Sequence, residues 1–123
     1  MIESNLAKMT NVELAALFVE SCQAENLGRI CAESDTINFF IDRQFAIRNE
    51  LKSRTPDARV VLLALLQHKD PSVRFGAAVA ILALAPEKAI TTLETIEADP
   101  TKPYSTDAWR VLYRYRSGEF KPT

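Results

Sequence analysis

Little in this sequence supports metal or redox chemistry. Its 123 residues hold one histidine, His68, and two cysteines, Cys22 and Cys31, outside any C-x-x-C. A zinc site takes about four such ligands, so neither a metal nor another cofactor is expected. The cysteines lie nine positions apart, and nine steps of about 100° set them on opposite faces of one helix. They are expected as buried, reduced thiols of a cytoplasmic protein rather than as a disulfide. Glycine is scarce as well. Three glycines against six prolines suit helices punctuated by proline better than a sheet with many tight turns. No Gly-rich phosphate loop, G-x-S-x-G elbow or H-E-x-x-H pair occurs. The short run Leu14–Phe18 has neither a basic segment before it nor a cleavage pattern after it, so no signal peptide is expected.

A broad excess of positive charge is also missing. The formal charge is −1 and the isoelectric point about 5.8, which argues against gripping nucleic acid through its phosphates. Six Lys and Arg face eight Asp and Glu over residues 1–54, four face six over 55–100, and five face two over 101–123. The basic excess is therefore local to the C-terminal end. At 47% hydrophobic and 25% charged, the chain has an ordinary globular composition and the length of one domain, 1–123.

The stretch Asp70–Ala85 is the most apolar part, with no polar side chain from Phe75 to Ala85. Asp70 suits a helix N-cap and Pro71 the first turn, where a missing N–H costs nothing. Val73, Ala77, Ile81 and Leu84 form one stripe at helical spacing, and Phe75, Val79 and Leu82 a second. Such a helix must be packed on several sides. It falls well short of the roughly 20 residues that span a bilayer. This predicts a central helix within a small all-helical domain.

The rest of the chain punctuates itself. Thr10-Asn-Val-Glu13 has the form of a capping box and predicts a helix from Asn11 to about Glu33, with loosening at Asn26–Gly28. Leu14, Leu17, Phe18 and Cys22 share one face of it. Ser34-Asp35-Thr36 opens a second helix to about Ser53, with Ile37, Phe40, Ile41, Phe45 and Ile47 to Leu51 turned inward. Thr55-Pro56-Asp57 opens a third, which carries Val61, Leu62, Leu65 and Leu66 and ends at His68-Lys69. Beyond the central helix, Ala85-Pro86-Glu87 starts a fifth, with Ala89, Ile90, Leu93 and Ile96, that stops before Asp99-Pro100. Ser105-Thr106-Asp107 opens the last, with Ala108, Trp109, Leu112 and Tyr115 inward and Gly118 as its stop. Six helices in three antiparallel pairs are expected.

His68-Lys-Asp70-Pro71-Ser-Val73-Arg74 followed by Ala77-Ala78 resembles the turn and second helix of a HEAT repeat. Trp109-Arg110 follows Val73-Arg74 by 36 residues, within the helical-repeat range, although no Asp-Pro precedes it. The resemblance implies a short all-α solenoid, HEAT-like or armadillo-like, with Asn11–Ser53 as a divergent cap. It also implies structural roles for Asp70, Pro71, Val73, Arg74 and Gly76. Arg74 lies at the i, i+4 spacing from Asp70, and the resemblance implies that it also reaches Asp107 in the next pair; Gly76, costly in mid-helix, should mark a close helix crossing. Residues Thr55–Thr123, with Ala85-Pro86-Glu87 and the ending Gly118-Glu-Phe120-Lys121-Pro122, further resemble a small bacterial family of uncharacterised single-domain proteins, HEAT-like in fold.

Catalysis is not expected. Glu94, Glu97 and Asp99 gather near a helix end and Asp42 adjoins Arg43, yet carboxylates on a polar helix face are ordinarily solvated. Arg110, Tyr113 and Arg114 on the last helix, extended by Lys121 if Phe120 docks back, combine residue types favoured at interface centres. As a functional patch they suit an acidic protein or peptide. The chain therefore reads as a non-enzymatic protein-interaction module of a bacterial cytoplasm, with an immunity- or antitoxin-like protein as its more particular form. The alternative is a nucleic-acid-associated or nucleic-acid-modifying domain of the HEAT-like class.

Overall fold

The computed structural model describes residues 5–123, and among these it contains helices and no strands. They are α1 (Asn11–Ile30), α2 (Ser34–Ser53), a 3-10 helix (Ala58–Gln67), α3 (Pro71–Ala80), α4 (Pro86–Glu97) and α5 (Ser105–Ser117). Six helices are expected, and the described residues hold these six with residues 5 and 6 helical as well, so the all-α class stands. No helix among the described residues is long and apolar enough to cross a membrane. The chain divides into two compact units, Met1–Val61 and Leu62–Thr123.

In the first unit, the Thr10 hydroxyl accepts from the Glu13 N–H at 3.1 Å, and the Glu13 carboxylate accepts from the Thr10 N–H at 2.9 Å. This capping box starts α1 at Asn11, satisfying two of the N–H groups that a helix start leaves bare. Leu14, Phe18 and Cys22 of α1 are buried, as are Ile47 and Leu51 of α2. A polar seam accompanies this core. Buried Glu25 takes the Arg29 Nε at 2.7 Å and the Gln44 Nε2 from α2 at 2.8 Å, so its charge is compensated where it is desolvated.

Three expectations fail in this unit. Helix α1 stays helical through Asn26–Gly28 and ends at Ile30. Gly28 is where α2 comes closest, since a Cβ there would lie 3.1 Å from the Thr36 Cγ2 and 3.2 Å from the Ile37 Cγ1. Cys31 is exposed at the C-cap, unlike buried Cys22, within a run of exposed residues that joins α1 to α2. Phe45 is 59% exposed, because it lies two residues before buried Ile47 and six before buried Leu51, on the opposite side of the helix.

The third predicted α-helix is a 3-10 helix. Its first turn is fixed by Asp57, whose carboxylate accepts from both the backbone N–H and the guanidinium of Arg59. It closes with a three-residue bond from His68 N–H to the Leu65 carbonyl. Val60 and Val61, both β-branched, lose side-chain freedom in an α-helix and so do little to favour one here. The three-residue repeat still sets Leu62 and Leu65 in line, with Leu62 and Leu66 buried.

In the second unit the Asp70 Oδ1 caps α3 by accepting from the Ser72 N–H at 2.9 Å, with Pro71 in the first turn. The α-helix ends at Ala80 rather than Ala85. Ile81 to Leu84 form turns held by the bond from Leu84 N–H to the Ile81 carbonyl at 2.9 Å, and Ala85 is non-helical ahead of Pro86. Ile81 and Leu82 remain buried, so the sequence's apolar run serves a helix and its exit turn. Helix α4 packs on both α3 and α5, with Ala89, Leu93 and Ile96 buried. Tyr104, buried and in the left-handed region at φ 72°, precedes α5 and sets its ring 5.0 Å from that of Phe75. Gly118, at φ 84°, ends α5 in the left-handed conformation that glycine adopts without strain.

Candidate interaction surface

Helix α5 buries a narrow seam, Ala108 and Leu112, with Val111 and Tyr115 half-buried beside it. Trp109, expected inside, is 53% exposed. The seam of one alanine and one leucine lets the helix sit close to its neighbours, and Trp109 lies a residue off it. Its indole instead stacks on Tyr113 of the next turn, with centroids 5.4 Å apart and planes inclined by 21°. Tyr113 is itself 55% exposed. The pair forms an aromatic shelf beside a groove of about 340 Å³ whose walls include Glu97, Leu112 and Arg116. The Nη2 of Arg116 meets the Glu94 Oε2 of α4 at 2.7 Å. Both partners are about half exposed, so this bridge adds little to the stability of the fold.

The predicted patch lies along the same helix. Arg110, Tyr113 and Arg114 are all exposed, and Tyr113 belongs to both the patch and the shelf. The Phe120 N–H donates to the Arg114 carbonyl at 3.0 Å and Phe120 is half-buried, so the tail folds back with Lys121 exposed after it. What the sequence reading missed is Trp109 and Arg116. Their spacing from Tyr113, four residues before and three after, was visible, but the burial of the seam decides which side they take.

The other singled-out residues are built into the fold. Val73 and Gly76 are buried in α3, and Asp70 and Pro71 form its start. The Arg74 guanidinium, expected near Asp70 and reaching Asp107, donates to the carbonyls of His68 at 2.7 Å and Lys69 at 3.1 Å. It covers the carbonyl end of the 3-10 helix, where a cation is favoured. Asp99 sits in a turn, and hydrogen bonds from Thr101 hold its carboxyl below the usual range. It thus stays ionised where a general acid would need the opposite shift. Among the described residues no three His, Cys, Asp or Glu gather as a ligand set. A wider groove of about 610 Å³, lined by Leu66, Gln67, Glu87, Lys88 and Thr91 among others, has no aromatic and no charge of one sign to select a ligand.

A family model described as a domain of unknown function, DUF2019, matches residues 12–115. The crystal structure of the protein RPA1889 from Rhodopseudomonas palustris CGA009 is similar to this chain over 96% of its length and 98% of that protein's, with 33% identity and a TM-score of 0.91. No curated protein matches the chain.

Proposed function

We propose that this chain, which belongs to the DUF2019 family, is a non-enzymatic protein-interaction module of the bacterial cytoplasm. The observation that carries the reading is the exposed stack of Trp109 on Tyr113 with Arg110 and Arg114 alongside. Two stacked exposed aromatics form a patch rather than a scattered surface residue, and Trp, Tyr and Arg are the side chains that most often anchor interfaces. The local basic excess favours an acidic partner protein or peptide, and an immunity- or antitoxin-like role is the more particular form of this reading. A HEAT-like module is supported by the Asp70–Pro71 turn, the burial of Val73 and the grip of Arg74 on the preceding helix end.

Affinity capture from the native cytoplasm tests this reading. A protein retained by the wild-type chain and lost by a folded Trp109→Ala/Tyr113→Ala variant supports the α5 surface. Equal capture by both would move the site off α5.

A further inference from the structure

Helices α2 and α5 each turn one face away from the core of their own unit, and these faces are chemically opposite. On α2, Asp35, Phe39 and Asp42 follow one another at four and three residues, with Phe45 three further on. All four are exposed, Phe39 by 50% and Phe45 by 59%. Two acids and two phenyl rings thus alternate along about three turns of helix. The cations near this stripe lie at its edges: Arg43 reaches toward Glu20 and the Phe40 ring, and Arg48 lies over the Phe45 ring and donates to Asn49. On α5 the exposed order is Trp109, Arg110, Tyr113 and Arg114. With Arg116 engaged by Glu94, Arg110 and Arg114 carry the charge there.

Single exposed aromatics are ordinary, but here they recur in two stripes whose charges have opposite sign. An arginine of one stripe fits an aspartate of the other. We propose that the α5 face of one molecule docks on the α2 face of a second copy of this chain. The proposal rests on the reading of α5 as an interaction surface and names its partner. Thirteen residues of helix are about 20 Å long and about 10 Å wide. A contact of that size is below the roughly 1,600 Å² of a standard stable interface, so the association is weak and transient. Because the two faces differ, the contact is heterologous: each molecule offers one face of each kind.

Sedimentation velocity of the purified full chain, from about 10 μM to about 1 mM, matches the weak affinity of so small a contact. At low salt the sedimentation coefficient should rise with concentration, and high salt should suppress the rise, as screening of paired surface charges requires. Asp35→Lys/Asp42→Lys and Arg110→Glu/Arg114→Glu, both at exposed positions, should each weaken association about tenfold or more. Mixed in equal amounts the two variants should recover it, since each then supplies a face that the other lacks. A chain that stays monomeric throughout, or double variants that associate as the wild type does, would overturn self-docking. Monomeric behaviour together with capture of another acidic protein through Arg110 and Arg114 would overturn self-docking alone and leave the interaction reading standing. Monomeric behaviour without such capture would overturn both.

Discussion

Arg54 is the residue whose removal should show most about how the first unit is held. It follows α2, and its guanidinium makes four hydrogen bonds: Nε to the Glu50 Oε2 at 3.0 Å, Nη1 to the Asn11 Oδ1 at 2.7 Å, and Nη2 to the carbonyls of Leu6 at 3.1 Å and Met9 at 2.7 Å. One side chain thereby ties the end of α2 to the start of α1 and to the segment before it. Its side chain is 23% exposed, so these bonds are partly shielded from water. A hydrogen bond from a charged donor contributes about 1.5–3 kcal/mol. The pair with Glu50 contributes only about 0.5 kcal/mol, and the freed carbonyls regain some water. The contributions overlap, so Arg54→Ala should cost about 2–3 kcal/mol in all. For a chain of this length that lowers Tm by about 6–15 °C. Lysine at this position carries the charge but not the planar fork, and should restore less than half of the loss. Thermal unfolding by circular dichroism reads the stability, and amide exchange of residues 5–13 reads the local release. An Arg54→Ala variant melting with the wild type, or full rescue by Arg54→Lys, would refute the clamp.

Three further predictions concern the fold. Gly76 is buried within α3, so Gly76→Leu should destabilise by about 1–3 kcal/mol through overpacking, and a melting temperature no lower than the parent's would contradict that. Arg74→Ala should cost about 1 kcal/mol by uncovering the His68 and Lys69 carbonyls, with faster amide exchange at the end of the 3-10 helix as the local readout. Hydrogen bonding from Arg59 holds the Asp57 carboxyl below its usual value of 3.8, with the charges of Arg59 and Lys52 adding to the effect. A depressed folded-state pKa stabilises above the unfolded value and is lost as pH falls through the folded one. Denaturant midpoints should therefore fall below about pH 4 in the wild type and less steeply in Asp57→Asn.

What the sequence made legible was local. Thr10 with Glu13, Asp70 with Pro71, Pro86 and Gly118 act within a turn of their own position, and each helix end that they imply is present. Periodicity named stripes but not which stripe a neighbour covers. Trp109 and Phe45 were assigned inward on spacing, yet Ala108 and Leu112, or Ile47 and Leu51, took the buried seams. Arg54 and the Gln44–Glu25 bond join residues far apart in the chain, and no local pattern announces them. Gly28 looked like a weakness in a helix and proved to be where α2 approaches α1. For the candidate surface, Arg110, Tyr113 and Arg114 can be singled out from composition, whereas the stack of Trp109 on Tyr113 needed the packing of α5 to be known.

The central claim is that the exposed face of α5 binds a protein. Its most direct test is calorimetric affinity for the captured partner, wild type against Arg110→Glu/Arg114→Glu, at about 50 and about 300 mM salt with the helical spectrum confirmed unchanged. Affinity should fall about tenfold or more in the double variant, and its salt dependence should shrink with the lost charges. Unchanged affinity and unchanged salt dependence in the folded double variant would contradict the claim.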